Sequence, residues 1–573
     1  MSCRLAGTAG LNTVRRLQRE PDSVERYTRL SAMKRLKFET ILLHAGGSLA
    51  VKTATATVVG ALAFGSHLMA QRKPSFEPPP PAKKAVIDGK KIPEDRFGIA
   101  YDDVFHHMHY DQPLRPQVHY TPVTGQIGDA TGLILYKGVY HLFYMYDEWS
   151  RRRRFNKSWG HAVSNDLVFW EQQPQILNTR LDNAPGSGSG IVDWNDTLGL
   201  QSGVEKTLVV FYTDYGRGTS IAFSRDAGKT WIRHKDKPVI PRHETRNDRD
   251  AKVFWYKPDQ SWRLILYETP NFTFYKSDDL LHWERLSSVD GFHECPDFLE
   301  IPIDGDQKHK KWVLIDGDGS YRIGDSDGTS FTSSMENAYA NRGVARDAWN
   351  GADREIYATQ AWSHSYEGDG PFYQMGFMFL PDGADHDRTW SQQQIFPVEL
   401  TLKTIAGDVR LCRNPINAIK QLRYDPHLWT DQEIQPGMNP LATVDGDVFE
   451  IIAEIEPGQA TEVGFRIRGE TLTYSATDER LTFMESDASL AAANGTVKLR
   501  MIVDRGSVEV YANQGEVTFT KLFYPEPSNM NLEIFAKGGM ARIRAMEVYR
   551  LQSIWLKREH ELGYFRSSTK GKR

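Results

Sequence analysis

Cysteine is scarce in this chain of 573 residues, which contains only Cys3, Cys295 and Cys412. Three cysteines are too few for a disulfide framework, and no spacing of cysteine and histidine matches a zinc site. Cys295 lies inside the segment HECPD, but the histidine and asparagine pattern that would accompany a nucleophile is missing. We interpret Cys295 as a small buried apolar side chain, and we expect neither a metal nor a cofactor.

The chain also lacks an excess of charge of either sign. It contains 70 Lys and Arg residues against 74 Asp and Glu residues, for a net charge of -4. A strong basic balance is the usual mark of a nucleic-acid-binding protein, so no nucleic-acid partner is expected. The length is ample for two large domains with cores of their own.

Near the N-terminus the sequence lacks an uninterrupted hydrophobic run that would be convincing as a spanning helix. Residues 1–39 are rich in Arg and Lys, and the basic segment MKRLKFE begins at Met33. The apolar run TATATVVGALAFG follows, separated from the preceding apolar residues by Lys52. This order is typical of a secretory signal, so we predict that residues 1–70 are a leader cleaved near Ala70 and that the protein is secreted or periplasmic. The alternatives are a disordered leader or a membrane anchor, and membrane contact is expected only through an uncleaved leader.

A repeated pattern of serine, acidic turn and aromatic residue organises the middle of the chain. The pattern begins at Ser164 (SNDLVFW), Ser224 (SRDAGKTW), Ser277 (SDDLLHW) and Ser326 (SDGTSF), so successive starts lie 60, 53 and 49 residues apart. Alternating apolar runs such as GVYHLFYMY, TLVVFYTD, SWRLILYE and KWVLID supply strands between these turns. A period of about 50 residues in a strand-rich sequence is typical of propeller blades. We therefore predict a five-bladed β-propeller over residues 115–405.

The pattern changes after the propeller. The segments FPVELTL and RLCRNPINAIKQLR predict a strand and a short helical piece, and we place a connector at 406–434. Alternation on both sides of a turn at 504–507 predicts a hairpin with one buried face, and LEIFAKGG and RIRAMEVYRL add strands. The prediction is an all-β chain in which a β-sandwich at 435–552 follows the propeller. A Pro-rich linker and N-terminal extension at 71–114 precede the propeller, and a basic tail at 553–573 ends the chain.

Three acidic motifs carry the chemistry that the sequence predicts. They are GDATG around Asp129, NDRDAKVFW around Asp250 and HECPD around Glu294, each at the edge of an apolar or aromatic run. A carboxyl group at the end of a strand has an anchored backbone and can face a cleft. Glycosidic bond cleavage needs such a set, with one carboxylate to attack and one carboxylic acid to protonate the leaving oxygen. Any one of the three acids by itself is also explained as a turn residue that accepts backbone N–H groups.

The residues around these acids resemble glycoside hydrolase family 32, the invertase, inulinase and levanase family. HYTPVTGQIGDATGLILYKGVYHLFYMYDE resembles the segment of the first blade, where the family typically has Trp-Met-Asn-Asp-Pro-Asn-Gly. Further resemblances follow in the family's order: WGHAVSNDLVFW, GSGSGIVDWNDT, RDAKVFWY, HECPDFLEI, ELTL with RLCRNPINAIKQLR, and DRGSVEVYANQG in the C-terminal sandwich. The resemblance covers roughly residues 117–550.

The resemblance implies a role for each acid. Asp129 occupies the position of the nucleophile, and Glu294 occupies that of the general acid/base. Asp250, with Arg249 before it, occupies the position that holds fructose hydroxyls and stabilises the transition state. A pair of carboxyl groups about 5–5.5 Å apart permits the retaining route through a covalent intermediate. We expect Arg249 to keep a neighbouring acid ionised and burial to raise the pKa of Glu294.

The resemblance also implies a substrate and a sugar pocket. Ser187, Ser189 and Trp194 match the segment that lines the family's pocket, and a fructan (levan or inulin) or sucrose is the implied substrate. This chain departs from the family on the nucleophile strand, where Gln126-Ile127 replaces Trp-Met, Gly128 replaces Asn, and Ala130-Thr131 replaces Pro-Asn. Ala251 replaces Pro after Arg-Asp. These departures keep two alternatives open: a related propeller glycosidase for another furanose, such as an arabinofuranoside, and a non-catalytic carbohydrate-binding protein.

Overall fold

A computed structural model describes most of the chain from residue 110 to residue 555. The described residues are 110, 112–148, 158–178, 184–234, 237–243, 247–339, 356–362, 370–378 and 389–555, together with the backbone of three short strands, β1 (Val86–Ile87), β2 (Lys90–Lys91) and β3 (Arg96–Phe97). The predicted leader, most of the N-terminal extension and nearly all of the basic tail lie outside them. Within the described residues, no helix has both the length and the hydrophobicity to cross a membrane.

Antiparallel sheets make up the first part of the described chain. The strands are β4 (Gly125–Tyr136), β5 (Val139–Asp147), β6 (Ser158–Ser164), β7 (Glu171–Ile176), β8 (Pro185–Asp193), β9 (Thr207–Asp214), β10 (Gly218–Ser224), β11 (Trp231–Arg233), β12 (Ile240–Pro241), β13 (Arg249–Tyr256), β14 (Ser261–Glu268), β15 (Asn271–Ser277), β16 (Glu284–Val289), β17 (Asp297–Ile303), β18 (Asp306–Ile315), β19 (Ser320–Ser326), β20 (Phe331–Thr332), β21 (Ala338–Tyr339), β22 (Ile356–Ala361), β23 (Phe372–Met378), β24 (Trp390–Ser391), β25 (Gln393–Gln394), β26 (Val398–Ile405) and β27 (Asp408–Pro415).

The order of these strands is that of successive up-and-down units. One sheet runs β24-β4-β5-β6-β7, a second β3-β11-β10-β9-β8 with β12 beside β10, and a third β13-β14-β15-β16. The ten remaining strands, from β17 onward, join in one sheet in which β17 and β26 are neighbours. The first strands of the units, β4, β8, β13 and β22, pack against one another. Because these ten strands share one sheet, strand pairing does not divide them into separate blades. The count of five blades therefore stays a prediction.

The repeated Ser-Asp motif forms the same tight turn at its first and third copies, Ser164 and Ser277. The hydroxyl oxygen of Ser164 accepts the backbone N–H of Leu167, and that of Ser277 accepts the N–H of Leu280, both at 2.8 Å. Leu167 and Leu280 both have φ of 65°, a left-handed conformation that a non-glycine residue adopts only when the surrounding bonds hold it. The repeat is therefore a structural device that closes the hairpin between two outer strands.

A second layered unit follows the propeller strands. A 3-10 helix at Asn417–Leu422 precedes it, and another lies at Asn513–Gly515. The strands are β28 (Arg423–Ile434), β29 (Phe449–Glu456), β30 (Glu462–Ile467), β31 (Glu470–Ser475), β32 (Arg480–Phe483), β33 (Ser486–Ser489), β34 (Val497–Asp504), β35 (Ser507–Ala512), β36 (Val517–Leu522), β37 (Leu532–Lys537) and β38 (Ala541–Leu551). They form two antiparallel sheets, β28-β38-β29-β34-β35-β36 and β33-β32-β31-β30-β37. One hydrophobic core lies between them, as alternating inward-facing residues predict.

A buried histidine joins the propeller to the sandwich. His119 precedes β4, and its Nδ1 lies 2.8 Å from Oδ2 of Asp504 at the end of β34. Its Nε2 lies 3.0 Å from Oε2 of Glu509 on β35. Asp504 also accepts the backbone N–H of Gln117 and Val118. Burial by itself would lower the pKa of His119, but the hydrogen bonds and charges of the two carboxylates raise it to about 9.

A buried ion pair joins two of the acidic motifs inside the propeller. Lys252, two residues after Asp250, places Nζ 2.7 Å from Oδ1 of Asp297, three residues after Glu294. Oδ2 of Asp297 accepts the backbone N–H of Ala361 on β22 at 2.6 Å, and Lys252 donates to the carbonyl of the same residue. The pair is almost fully withdrawn from solvent. It therefore ties together β13, which carries Asp250, β17, which follows Glu294, and β22.

Candidate active site

Asp129 lies near the start of β4, as its motif predicts. Its Oδ2 accepts a hydrogen bond of 2.5 Å from the hydroxyl of Ser187 on β8. β4 changes register against β5 between Ile127 and Ala130, and such irregularities re-aim side chains at the rim of a sheet. The half-buried Asp129 is thus held through its carboxylate from a neighbouring strand.

Asp250 is held in an unusual backbone conformation at the start of β13. Its φ is 62°, and the register of β13 against β14 shifts between Arg249 and Lys252. A non-glycine residue in this region carries strain that its surroundings must overcome, and such residues are concentrated at functional sites. The backbone N–H of Asp250 donates to Oγ1 of Thr213 at 2.9 Å, which helps to hold the conformation. The carboxyl group is buried beside Cys295, whose Sγ lies 3.5 Å from Asp250 Oδ2.

Glu294 forms a direct ion pair with Arg249. Oε2 of Glu294 accepts hydrogen bonds from Nε of Arg249 at 2.9 Å and from Nη2 at 2.6 Å. Nε of Arg249 also lies 3.4 Å from Oδ2 of Asp250, and the guanidinium stands over the ring of Tyr267 at 4.6 Å. One arginine therefore contacts both acids that follow Asp129 in the sequence.

The pKa of Glu294 is shifted in the direction opposite to the expected one. Burial does act to raise the pKa of Glu294, but the charge of Arg249 and hydrogen bonds from Tyr357 and Arg249 outweigh it, and the net pKa is lowered. The raised pKa belongs to Asp250, where burial, followed by the charge of Glu294, brings it to about 7. The expected net rise in the pKa of Glu294 does not occur, because Arg249 pairs more closely with Glu294 than with Asp250 and outweighs the effect of burial.

Two residues that the sequence did not single out hold Glu294 in place. The hydroxyl of Tyr357 on β22 donates to Oε1 of Glu294. Asp316, just after β18, accepts the backbone N–H of His293 at 2.7 Å and that of Glu294 at 3.1 Å, one with each carboxylate oxygen. Both lie outside the motifs around the three acids, so no local pattern marked them.

Thr213 is a third residue that sequence reasoning missed. It lies at the end of β9, next to Asp214. Its hydroxyl donates to the carbonyl oxygen of Ser187 at 2.9 Å and accepts the N–H of Asp250 at 2.9 Å. Since Ser187 in turn donates to Asp129, one threonine couples the strands that carry the first two acids. The only available signal was its place at the end of the run TLVVFYTD.

The structure brings part of the predicted sugar-binding set to the site. Ser187 lies there, because it contacts Asp129. Ser189 is buried deeper, and its hydroxyl accepts the backbone N–H of Val253 at 2.9 Å. Trp194 follows the far end of β8, where its ring packs 5.8 Å from that of Tyr136.

Trp194 lies away from the carboxylates. Tyr136 is the last residue of β4, seven positions from Asp129, and an extended strand rises about 3.3 Å per residue. The structure therefore does not bring Trp194 next to the three acids, and its role in sugar binding stays a prediction. Asp129, Arg249, Asp250, Glu294 and Ser187 are the residues that the structure places together.

The departures on the nucleophile strand have structural consequences. Thr131 is buried, and its hydroxyl bonds to the backbone of Gly188 on β8, as donor to the carbonyl and acceptor from the N–H, both at 2.8 Å. Gln126 donates through Nε2 to Oε1 of Gln392 at 3.3 Å. A Cβ atom on Gly128 would lie 3.4 Å from Cβ of Met145, close to ordinary contact distance. Thr131 and Gln126 thus serve to join strands, and residue 128 has room for a small side chain.

A propeller-like stack of sheets that gathers three carboxyl groups and an arginine at one end of its inner strands defines a glycosidase site. Comparison with known proteins agrees. The family model for the glycosyl hydrolases family 32 N-terminal domain matches residues 119–415. The model for the glycosyl hydrolases family 32 C-terminal domain matches residues 418–550. The chain belongs to glycoside hydrolase family 32, and it is a glycosidase that hydrolyses O-glycosyl bonds.

Individual relatives support the same assignment. The chain is 34% identical over 497 residues to a levanase of Bacillus subtilis, covering 78% of this chain and 72% of that protein. It is 28% identical over 539 residues to an extracellular exo-inulinase of Aspergillus awamori, covering 80% of this chain and 97% of the other. The crystal structure of exo-inulinase from Aspergillus awamori superposes with a TM-score of 0.69 at 24% identity, over 78% of this chain and 100% of that chain. The predicted all-β architecture, a propeller followed by a sandwich, is confirmed.

Proposed function

We propose that this protein releases fructose from β-fructofuranosyl linkages by a retaining, two-step mechanism, with a fructan as its substrate and levan preferred over inulin and sucrose. The observation that carries the proposal is the connected set Asp129, Asp250 and Glu294, joined through Ser187, Thr213 and Arg249. The similarity to proteins named levanase and exo-inulinase supports the choice of fructose.

In the first step, the carboxylate of Asp129 attacks the anomeric carbon of the fructosyl unit. The bond to the leaving oxygen breaks, and Glu294 gives its proton to that oxygen. In the second step, Glu294 takes a proton from water, the water oxygen attacks the anomeric carbon, and Asp129 leaves as a carboxylate. Asp250 binds fructose hydroxyls, and Arg249 keeps it close to Glu294.

The protonation states set the pH at which this scheme runs. Glu294 must carry a proton in the first step, whereas the hydrogen bonds and charge of Arg249 lower its pKa. The fraction of protein with Glu294 protonated therefore rises as the pH falls, and activity should be greatest under acidic conditions. Asp129 accepts a hydrogen bond from the hydroxyl of Ser187, which holds the nucleophile in position.

The test is to incubate the purified protein with levan, inulin, sucrose and arabinan and to identify the released sugar. Fructose from levan at the highest rate is the expected result. Arabinose without fructose would replace this function by that of an arabinofuranosidase, and no sugar from any substrate would favour a binding protein.

Two substitutions assign the roles. Asp129→Asn should lower turnover by several orders of magnitude while the fold is kept, because it removes the nucleophile but not the shape. Glu294→Gln should do the same for fructans yet spare part of the activity on a fructoside whose leaving group needs no protonation. Asp327→Asn, in an exposed Ser-Asp turn, is the matched control and should keep normal activity. Near-normal activity of Asp129→Asn would contradict the assignment.

We also propose that the protein acts outside the cytoplasm. The basic start and apolar run before Ala70 support export, and a fructan is too large to be imported easily. N-terminal sequencing of the exported protein should begin near Gln71. A cytoplasmic protein with an intact leader would contradict this.

A further inference from the structure

Tyr215 lies at the tip of the hairpin between β9 and β10, beside the carboxylates of the site. The turn is well defined, because Arg217 donates its backbone N–H to the carbonyl of Asp214 at 2.8 Å and Gly216 has φ of 89°. These are the features of a type II turn, in which the third residue needs a left-handed conformation. The carboxylate of Asp214 reinforces the turn by accepting from Arg217 Nη1 at 3.0 Å and from Ser220 Oγ at 3.1 Å.

The ring of Tyr215 packs over the backbone next to Ser187. A Cβ atom on Gly186 would lie 2.9 Å from Cε2 of Tyr215, so the ring rests directly on the glycine. Only a residue without a side chain at position 186 permits this contact. Ser187, the next residue, donates to Asp129. The ring is therefore one residue away from the hydrogen bond that holds the nucleophile.

Tyr215 is also unusually exposed for an aromatic residue of this protein. Its exposed fraction is 40%, and of the aromatic side chains that the structure describes only Tyr424, at 43%, is comparably open. Its hydroxyl makes no hydrogen bond to another described residue. Burial, followed by the charges of Asp250 and Asp129, raises its pKa, which agrees with a ring that packs on Gly186 beside Ser187.

The other tyrosine rings near the carboxylates are buried. The family's tryptophan on the nucleophile strand is replaced by Gln126, which bonds to Gln392, and Tyr267 and Tyr357 are buried against Arg249 and Glu294. A flat ring suits the apolar face of a sugar. Of the Phe, Tyr and Trp rings in the described part of the site, only Tyr215 presents such a face to solvent.

We propose that Tyr215 is a specificity-determining residue whose ring contacts the sugar unit on the leaving-group side of the scissile bond. This inference rests on the proposed function. The fructosyl unit to be cleaved must reach the nearly buried Asp250 and Glu294, whereas the exposed ring of Tyr215 meets the part of the substrate that is closer to solvent. Longer fructans would thus gain affinity from Tyr215, and free fructose would not.

The test compares the binding of fructose and of a levan-derived fructose trimer by calorimetry, in the Asp129→Asn background that prevents hydrolysis. Tyr215→Ala should weaken trimer binding about three- to tenfold, the range expected for loss of one aromatic contact, and leave fructose binding within about twofold. Tyr215→Phe should retain trimer binding, since the ring remains. Tyr424→Ala, equally exposed but on β28 of the sandwich, should change neither.

The outcomes distinguish failure of the role of Tyr215 from failure of the fructosidase function. Unchanged trimer affinity in Tyr215→Ala, or an equal loss for fructose and trimer, would overturn the role of Tyr215 while the hydrolytic function stands. If the protein with Asp129 intact releases no fructose and the Asp129→Asn variant binds neither ligand, the fructosidase function fails and the role of Tyr215 fails with it. In the active protein, Tyr215→Ala should raise KM for the trimer and leave kcat nearly unchanged.

Discussion

Nη2 of Arg249 lies 2.6 Å from Oε2 of Glu294, and Nε of the same guanidinium lies 3.4 Å from Oδ2 of Asp250. One cation thus stands between two acids, and it favours ionisation of the one that it contacts more closely. Glu294 keeps a lowered pKa, while the pKa of the buried Asp250 rises to about 7. Near neutral pH, Asp250 therefore retains a proton more readily than Glu294 does.

Tyr357→Phe should move the pH profile of activity. The hydroxyl of Tyr357 donates to Oε1 of Glu294 and so stabilises the carboxylate form. Without it, the pKa of Glu294 should rise, and the decline of kcat/KM on the alkaline side should begin at higher pH than in the unaltered protein. Measurement of kcat/KM on sucrose from pH 4 to 8 checks this. A profile that keeps its shape and merely drops in height would contradict the role assigned to the hydroxyl.

Asp316→Ala should impair turnover more than substrate binding. Asp316 accepts the backbone N–H groups of His293 and Glu294, so its loss frees the segment that positions the acid/base. A small displacement of Glu294 should lower kcat by about tenfold to 100-fold with a modest change in KM. Asp318→Ala, whose carboxylate accepts only a local N–H from Ser320, serves as the control. Equal effects of the two substitutions on kcat would refute the prediction.

Lys252→Met should destabilise the fold strongly. The substitution leaves Asp297 buried without its cation, and breaking a buried pair typically costs about 3–5 kcal/mol. Lys276→Met, which removes a partly exposed partner of Asp259, should cost less than about 1 kcal/mol. Urea unfolding of both variants and of the unaltered protein gives the free energies of unfolding from which these losses are calculated. Similar losses of stability in the two variants would show that the buried Lys252–Asp297 pair contributes no more than the partly exposed Lys276–Asp259 pair.

His119 should make stability depend on pH above neutrality. Its pKa in the folded protein is about 9, against an ordinary value of 6.5. A raised folded-state pKa contributes stability that is complete below pH 6.5 and is lost as the pH rises through 9. The contribution is on the order of 3 kcal/mol. Urea unfolding between pH 6 and 10 should show this decline, and His119→Gln should show much less of it. An unchanged decline in the variant would assign it to other groups.

Local patterns in the sequence predicted much of the fold. The runs TLVVFYTD and SWRLILYE coincide with β9 and β14, because alternating and apolar residues of this kind are stable only as partly or fully buried strands. The hairpin at 504–507 is formed by β34 and β35, as predicted. The joined sheet after β17 was not predicted, since the pairing of β17 with β26 connects residues about 100 positions apart.

The sequence by itself determined the all-β architecture and the three acids Asp129, Asp250 and Glu294, because strand periodicity and acidic motifs are local properties of the chain. The tertiary structure decided how those acids are charged and held. Arg249 and Glu294 are 45 residues apart, and Tyr357 reaches Glu294 from a distance of 63 residues in sequence. It also placed Trp194 against Tyr136 and Tyr215 against Gly186, beside Ser187. A pKa and a hydrogen bond depend on burial and on distances of a few ångströms between side chains, and only the packing of strands from distant parts of the chain sets these.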